Sequence, residues 1–253
     1  YALQTPGRPV RKRYWQRPDQ FIMDRKEFES YFPSDEYEEE SNSLTWKTAQ
    51  LVTETSIDTK EKEFLEIMPG VLQGGYYRIE AVTRDNYGEE VKDTRYLQVF
   101  NRDRKQLTVP AYQFSYTVNG TVEPGQTASF VSGTIADHLY VIRKTEKQGS
   151  TTGTFNYIDR NSGYETISYT AAETDRGGVG ITEAFVYNNR VYNNQYYADV
   201  PWTNKQLEVA YTSYRNKTEP GSNEKWTVSI KGHKSENIKA ELLTGMYDAS
   251  LDQ

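Results

Sequence analysis

From about Leu44 onward, apolar and polar residues alternate in short runs that Gly, Asn, Asp or Pro interrupts about every eight to twelve residues. This spacing is typical of the strands of a β-sandwich. The pattern predicts strands at residues 44–53, 75–83, 94–100, 112–118, 127–134, 138–144, 154–158, 166–169, 180–187, 207–212, 225–231 and 238–247. One helical turn is predicted at 24–31, between Pro18 and Pro33. We therefore expect an all-β fold of tandem antiparallel β-sandwich domains.

One short pattern occurs twice in the chain. Glu123-Pro124-Gly125 and Glu219-Pro220-Gly221 are 96 residues apart (219 minus 123), and each precedes a β-prone run. Proline sets φ at the first corner of a tight turn and glycine accepts positive φ at the second, so both segments predict a turn that leads into a strand. The repeat predicts three units: residues 1–103 with an irregular N-terminal segment, residues 104–204, and residues 205–253 as the first part of a further domain.

A hairpin is predicted inside the first unit. Residues 74–83 lead into Asp85-Asn86-Tyr87-Gly88, and a returning strand includes Val91. Because side chains alternate between the two faces of a strand, Tyr77, Ile79 and Ala81 are predicted to face inward.

Composition favours β structure and excludes several kinds of site. The chain has 21 Tyr but 9 Phe, and tyrosine suits half-buried strand faces. Cysteine is absent, which excludes disulfides, thiolate metal ligands and cysteine nucleophiles. No apolar run approaches the roughly 20 residues that span a bilayer, so no transmembrane segment is expected. The chain begins at Tyr1 without Met or a signal peptide, and we expect a processed or excised segment.

The charge balance argues against nucleic acid as a partner. Lys and Arg total 30 against 36 Asp and Glu, the net charge is −6, and no basic stripe that could bind phosphates is present. The most acidic stretch, residues 35–40, is interpreted as a solvated loop without a ligand.

Few residues of the sequence are suited to a catalytic or metal site. His138 and His233 are the only histidines, one in a predicted strand and the other in a predicted turn, and no second histidine stands at ligand spacing. Asp85 and Glu89 could pair as glycosidase carboxylates, but their place at a hairpin favours a turn-forming role. We therefore predict no enzyme activity, no catalytic, cofactor-binding or metal-binding residue, and no cofactor.

The tryptophans leave a second class of function open, because exposed aromatic rings stack on sugars. Trp15 and Trp46 belong to this set; Trp226 alternates with Val228 and Ile230 and is predicted to be a core residue, and Trp202 is predicted to hold one domain on the next. The loop 175–178 is interpreted as a hairpin rather than a contact loop.

Four segments together resemble the alpha-2-macroglobulin family, and more narrowly the large macroglobulin-like proteins of Bacteroidetes. They are residues 75–85 with Tyr87-Gly88, residues 123–126, residues 200–203 leading into 207–209, and Glu219-Pro220-Gly221 followed by 240–251. The last stretch is similar to the family's strand that ends in an aspartate, here Asp248, just ahead of the bait region. The resemblance covers residues 44–253.

The resemblance implies tandem macroglobulin domains of an immunoglobulin-like sandwich type, in a protein that traps proteases after its bait segment is cut. It also implies a periplasmic or outer-membrane-associated location. Proteases would then contact regions of the parent protein outside this segment, whereas neighbouring macroglobulin domains would contact this segment itself. With no cysteine, the chain cannot supply the family's thioester. The leading hypothesis is a non-catalytic scaffold segment of an endopeptidase inhibitor.

Two alternatives come from other classes of protein. A carbohydrate-binding or adhesin-type module would show three or more exposed aromatic side chains on one sheet face. A hydrolase would show a cleft with two facing carboxylates, of which at least one is desolvated.

Overall fold

The computed structural model describes residues 1–58, 60–61, 64, 66–67, 70–101, 106–203, 206–213, 219, 221–223, 225–232, 241–243 and 245. These residues form antiparallel sheets and very little helix, which confirms the all-β sandwich prediction. No helix within them has the length and apolar character to span a membrane.

The first sheet has four strands: β1 (Ala2–Leu3), β2 (Thr48–Gln50), β3 (Gly75–Arg84) and β4 (Glu90–Val99). Their order is β2-β1-β3-β4, so β1 lies between β2 and β3. Strands β3 and β4 form a long hairpin in which Gly75 lies opposite Val99 and Arg84 opposite Glu90. Tyr77 is buried as predicted, but Ile79 is 39% exposed and Ala81 is exposed, so the predicted inward set was right at Tyr77 only.

Residues 8–46 are called the N-terminal lobe here. They contain one helix, α1 (Arg25–Tyr31), which confirms the helical turn predicted at 24–31. The Asp24 carboxylate accepts a hydrogen bond of 2.8 Å from the Glu27 amide, which caps the first turn. Pro33 follows two residues after the helix and cannot continue it. A short 3₁₀ turn at Ser43–Thr45 leads out of the lobe into β2.

The central part of the chain is a sandwich of two sheets. The front sheet contains β5 (Phe114–Asn119), β6 (Thr127–Thr134) and β9 (Gly163–Thr170), in the order β5-β6-β9. The back sheet contains β7 (Leu139–Lys147), β8 (Thr154–Arg160), β10 (Val179–Tyr187) and β11 (Arg190–Ala198), in the order β11-β10-β7-β8. All neighbouring strands are antiparallel.

The core lies between these two sheets. Phe130 and Ile167 of the front sheet pack in one buried cluster with Ile181 and Tyr196 of the back sheet. Phe130 has no exposed surface, and burying a side chain of this size contributes about 1.5–3 kcal/mol. A second cluster, at the other end of the sandwich, is centred on Leu139, Val141 and Phe185. The inward residues therefore follow the alternation that the sequence predicts.

After the sandwich, β12 (Glu208–Ser213) and β13 (Thr227–Lys231) form a two-stranded antiparallel sheet. Its register repeats that of β5 and β6. A shift of 96 residues converts the opposed pair Phe114 and Gly133 into the opposed pair Ala210 and Ser229. In both hairpins the register shifts by one residue near the end of the first strand. The sequence repeat is therefore matched by a repeated strand alignment.

The Pro-Gly segments form the same turn in both copies. The amide of Gln126 donates to the Glu123 carbonyl at 2.9 Å, and the amide of Ser222 donates to the Glu219 carbonyl at 3.1 Å. Gly125 has φ of 87° and Gly221 has φ of 79°, the left-handed values that this turn requires of its third residue. Both predicted turns are confirmed.

Most predicted strands lie within a few residues of those in the structure. Residues 127–134 coincide with β6. Residues 44–53 were wrong over most of their length, because Ser43–Thr45 is a 3₁₀ turn and the strand is only Thr48–Gln50. Strand β11 was not predicted. Residues 238–247 lie largely outside the described residues, and the domain boundaries at 103/104 and 204/205 stay a prediction.

Candidate functional site

The connection between β9 and β10 carries a polar cluster at the end of the sandwich. A 3₁₀ turn, Glu173–Asp175, places Arg176 beside the Pro-Gly turn that precedes β6. The Arg176 side chain is 6% exposed. Its Nη1 donates to Glu123 Oε2 at 2.7 Å and also to the Pro201 carbonyl oxygen. One guanidinium therefore joins the β9–β10 connection, the Pro-Gly turn and the segment that leaves β11.

Glu123 is held from two sides. In addition to Arg176, Thr203 donates from Oγ1 to Glu123 Oε1 at 2.7 Å. Thr203 belongs to the 200–203 segment that leads out of the sandwich. Hydrogen bonds to Glu173 raise the pKa of Arg176 above its ordinary value; burial acts in the opposite direction, and Glu123 adds to the rise. Arg176, Glu123 and Thr203 are called the exit joint below.

Asp175 lies beneath the exit joint and is almost fully buried. Tyr169 donates from its hydroxyl to Asp175 Oδ2 at 2.8 Å, and the Ala172 amide donates to the same oxygen at 2.9 Å. Lys147 Nζ is 2.6 Å from Asp175 Oδ1. Burial by itself raises the pKa of Asp175. The hydrogen bonds and the charge of Lys147 lower this pKa by more than burial raises it, so the pKa is below its ordinary value.

The loop 175–178 is not the hairpin that the sequence predicts. It crosses from the front sheet to the back sheet, because β9 and β10 belong to different sheets. Gly178 has φ of 115°, and a Cβ at this position would lie 2.1 Å from the Tyr197 hydroxyl oxygen. Only glycine fits here without a shift of Tyr197, which explains the Gly-Gly pair in chemical terms.

A buried ionic cluster occupies the middle of the sandwich. Glu183 of β10 has no exposed surface. Its Oε1 accepts from Arg143 Nη2 at 2.7 Å, and its Oε2 accepts from Ser132 Oγ at 2.6 Å. Arg143 Nη2 also donates to Glu165 at 2.7 Å. Burial alone lowers the pKa of Arg143, but the hydrogen bonds to Glu165 and Glu183 raise it above its ordinary value.

Further side chains complete this buried cluster. Arg160 Nη1 donates to Ser132 Oγ at 2.7 Å and lies 3.7 Å from Glu183 Oε2. Burial raises the pKa of Tyr196, whose hydroxyl donates to Glu183 Oε2 at 3.4 Å. The two carboxylates of Glu165 and Glu183 face two arginines rather than a cleft, and a substrate cannot reach Glu183 through the surrounding sheets. The cluster therefore has the chemistry of a structural ion network.

The outer face of the back sheet carries exposed aromatic rings. Tyr140 is 58% exposed, Phe155 52% and Tyr157 63%, and all three lie on the face opposite the core. The rings of Tyr140 and Tyr157 are 5.9 Å apart between centroids, with planes inclined by 17°. Ile142 lies opposite Tyr157 in the register and is also partly exposed. This surface was not predicted, although Tyr140, Phe155 and Tyr157 stand at outward positions of the predicted strands 138–144 and 154–158.

The acidic stretch 35–40 is not the solvated loop that the sequence predicts. It lies against arginines of the N-terminal lobe: Asp35 Oδ1 accepts from Arg11 Nε at 2.7 Å. Glu38 and Glu40 both pair with Arg25. Glu36 is 7% exposed and lies beside Arg13. The arginines that compensate this charge precede it by 13 to 24 residues, so a reading of local charge alone could not find them.

Polar contacts tie the N-terminal lobe to the sandwich. Arg11 Nη1 donates to the Asn188 carbonyl at 2.6 Å, and Arg190 Nη1 donates to the Lys12 carbonyl at 2.6 Å. The hydroxyls of Ser34 and Tyr112 are 2.7 Å apart. Because β1 and β2 flank the lobe in sequence and belong to the first sheet, the lobe connects that sheet to the sandwich.

The other residues singled out by sequence do not come together. Asp85 Oδ1 accepts from the amides of Tyr87 and Glu89 at 2.8 and 2.9 Å, which confirms a turn-forming role for Asp85. His138 precedes β7 at φ of 55° rather than lying in the strand, and His233 lies outside the described residues.

The tryptophans show no common surface. Trp226 is 44% exposed, so its prediction as a core residue was wrong, and Trp15 and Trp202 are 62% and 53% exposed. Trp202 follows Pro201 beside the exit joint with its ring exposed, and its predicted role at a domain junction stays a prediction. Trp46 is half-buried and donates from Nε1 to the Glu40 carbonyl at 2.8 Å.

Among the described residues, no group of three or more His, Cys, Asp or Glu side chains is placed to hold a metal ion. Comparison with protein-family models finds no match, and comparison with curated proteins finds none either.

Proposed function

We propose that this chain is a non-catalytic scaffold segment of an alpha-2-macroglobulin-like protease-trapping protein outside the cytoplasm. The observation that carries the proposal is the repeated hairpin: the same Pro-Gly turn and the same strand alignment recur after 96 residues. Repeated modules of one size are the architecture on which the resemblance to that family depends.

The exit joint gives the scaffold role a physical basis. Arg176 is shielded from solvent and binds the turn between β5 and β6 and the segment that leads to the next hairpin. A charged hydrogen bond between two segments of fixed backbone restrains their relative orientation more than a flexible linker does. In this proposal, the segment fixes the relative orientation of neighbouring domains, and other parts of the parent protein contact the protease.

Electron-spin distance measurements test the rigidity that the proposal requires. The chain has no cysteine, so a label at each of two introduced cysteines is unambiguous. Thr151→Cys and Glu208→Cys place labels on the sandwich and on β12. We expect one narrow distance distribution, which broadens in the Arg176→Met background. A broad distribution without the Arg176 substitution would contradict a scaffold role.

The protease-trapping part of the proposal has a separate test in the coding sequence that surrounds this segment. We expect further units with Pro-Gly turns at a spacing of about 100 residues and a bait segment after Asp248. If neither further units nor a bait segment flank the chain, the inhibitor assignment fails even where the scaffold role holds.

A carbohydrate-binding or adhesin-type module is a second candidate, favoured by the three aromatic rings on the outer face of the back sheet. Aromatic side chains bury large apolar surfaces of a ligand while their polar tips remain hydrated. Calorimetric titration with soluble polysaccharides tests it. We expect Tyr157→Ala to abolish any binding and Tyr87→Ala, at a 92% exposed tyrosine of the first sheet, to preserve it. Absence of binding to every polysaccharide would remove this candidate.

A further inference from the structure

One side of β3 in the first sheet is only partly paired. Strand β4 lies along one side of β3 over its whole length, and the short strand β1 lies on the other side, with Ala2 opposite Tyr77. Strand β3 continues past Tyr77 to Arg84. Among the described residues, no strand pairs with the β1 side of β3 from Ile79 to Arg84. This stretch is called the open edge below.

Strand β1 shows how a neighbouring strand binds this side of β3. The amide of Arg78 donates to the Tyr1 carbonyl at 2.9 Å, and the Tyr1 nitrogen donates to the Arg78 carbonyl at 2.9 Å. This exchange of two hydrogen bonds is the bonded pair of an antiparallel ladder. The Arg78 guanidinium also lies 5.3 Å from the Tyr1 ring centroid. The Tyr1 nitrogen therefore already occupies the position of a ladder amide.

The same alternation identifies the backbone groups that face the open edge. In an antiparallel sheet, every second residue of a strand bonds to the neighbour on one side, and the residues between them bond to the neighbour on the other. Arg78 bonds to β1, whereas the odd-numbered Asp85 donates from its amide across the hairpin turn on the β4 side. The amides and carbonyls of Glu80, Val82 and Arg84 therefore point toward the open edge.

The open edge is long, regular and accessible. Val82 is 56% exposed, and Ala81, Thr83 and Arg84 are exposed as well. Edges that do not pair are commonly interrupted by proline or by a β-bulge. Strand β3 contains no proline, and its register with β4 runs without a shift. Its free backbone groups are therefore arranged to bind one further extended strand.

Strand β1 also sets the direction and register of the strand that would fill this edge. A chain that continues β1 backward from Tyr1 in an extended conformation runs antiparallel to β3. Because Ala2 lies opposite Tyr77, the first residue before Tyr1 falls opposite Ile79 and the sixth falls opposite Arg84. Such a strand meets the whole open edge without a gap or a turn.

We propose that the six residues immediately before Tyr1 in the parent protein form a strand that continues β1 and pairs with the open edge. The backbone groups of Glu80, Val82 and Arg84 then gain antiparallel partners. This inference rests on the proposed function, in which the chain is a segment of a longer protein. It adds the contact by which the preceding residues join the first sheet.

The two faces of β3 specify the side chains of the added strand. Tyr77 is buried, and Ile79, which is 39% exposed, lies on the same face together with Ala81. Opposed residues of antiparallel strands place their side chains on one face. The first and third residues before Tyr1 are therefore expected to be apolar. The second falls opposite Glu80, on the face that carries the ion pairs of Glu80, and is expected to be polar.

Amide hydrogen exchange measured by NMR tests the proposal. In the chain that begins at Tyr1, the protection factors of Val82 and Arg84 are expected to be at least about tenfold below those of Ala81 and Thr83, which bond to β4. Addition of the six residues that precede Tyr1 in the coding sequence is expected to raise the protection of Val82 and Arg84 at least about tenfold. Six added Gly and Ser residues are expected to leave it unchanged.

Unchanged protection after addition of the native residues would overturn the proposal and leave the scaffold role intact, because the scaffold role depends on the spin-label distances. A coding sequence without residues before Tyr1 would overturn it as well. A second copy of the chain is the other possible occupant. Protection of Val82 and Arg84 that rises with the concentration of the chain that begins at Tyr1 would assign the open edge to that copy and overturn the proposal.

Proline substitutions in the added residues test the register without disturbing the folded chain. The fourth residue before Tyr1 falls opposite Val82 and directs its amide to β3, whereas the third falls opposite Ala81 and directs its amide away. Proline at the fourth position is expected to lower the protection of Val82 at least about tenfold, and proline at the third position by less than about threefold. Equal losses for the two prolines would overturn the proposed pairing.

Discussion

Arg176 Nη1 lies 2.7 Å from Glu123 Oε2, although 53 residues separate the two in the chain. The contact connects a residue that follows the front sheet to the turn that precedes β6, and Thr203 binds the other oxygen of the same carboxylate. This ion pair therefore adds to the backbone hydrogen bonds of Asp199 and Val200 that hold the segment leaving the sandwich.

Replacement of Arg176 by methionine keeps the aliphatic stem and removes every donor. We expect a lower urea midpoint than for the unchanged chain, because Glu123 and the Pro201 carbonyl lose their partner. Arg95→Met is the control: Arg95 is 78% exposed and, within the part of the chain that the structure describes, pairs with Asp93 alone, so its midpoint should not change. Equal midpoints for the two variants would contradict the role given to the joint.

Gly125 tests the repeated turn. It has φ of 87°, and no atom lies within 4 Å of a Cβ built there, so an alanine would suffer only backbone strain. Gly125→Ala is expected to lower the free energy of unfolding by about 1–2 kcal/mol, measured by urea denaturation. Gly7→Ala, also in open space but without positive φ, should change it by less than about 0.5 kcal/mol. An unchanged free energy of unfolding in Gly125→Ala would show that the turn does not require glycine.

The buried Glu183 is expected to be far more sensitive than a surface carboxylate. Glu183→Gln removes the fully buried carboxylate of the cluster and leaves Glu165 alone to balance Arg143 and Arg160, and the expected loss in free energy of unfolding is about 3–5 kcal/mol. Glu146→Gln, on the outer face of the same sheet and paired with Lys144, should lose less than about 1 kcal/mol. A loss below about 1 kcal/mol for Glu183→Gln would mean that water reaches the cluster.

Tyr169 makes the stability of the chain depend on pH in the alkaline range. Burial, followed by the hydrogen bond to Asp175 and the charge of that carboxylate, raises the pKa of Tyr169 to about 12. Because the folded pKa lies above the unfolded value of about 10, the stabilisation is complete below pH 10 and is lost as pH rises toward 12. The difference in stability between the unchanged chain and Tyr169→Phe should therefore shrink over this interval.

A titration of labelled tyrosine carbons by NMR, together with urea unfolding at several pH values, measures this effect. Tyr87→Phe serves as the control, since Tyr87 is 92% exposed, and it should leave stability unchanged at every pH. A constant difference between pH 9 and 12 for Tyr169→Phe would rule out the coupling to Asp175.

The local sequence pattern was sufficient to predict the strands with regular alternation and the turns that contain Pro-Gly or Asp-Asn. Residues 127–134 show both features, since a Pro-Gly turn precedes an alternating run. Strand β11 lacks them, because Asn194 occupies an inward position that the alternation expects to be apolar. The turn before β11 did carry a sequence signal, the pair Asn188-Asn189. Both residues have positive φ, as a two-residue hairpin loop requires.

The polar clusters could not be derived from local pattern, because their members come from distant strands. Glu183 stands between Ile181 and Phe185 at an inward position, which indicates a buried charge but not its partners. Arg143 and Arg160 lie on β7 and β8 of the same sheet, and only the pairing of these strands brings them beside Glu183.

The position of Glu183 in its strand also limits how β10 can align with its neighbours. Displacement of the strand by one residue would turn Glu183 outward and bring Thr182 or Ala184 between the sheets. Neither carries a negative charge, so a misaligned arrangement leaves Glu165 as the one remaining carboxylate of this cluster beside Arg143 and Arg160. The buried carboxylate thus favours one register of β10 over misaligned registers that the surrounding valines and isoleucines would tolerate.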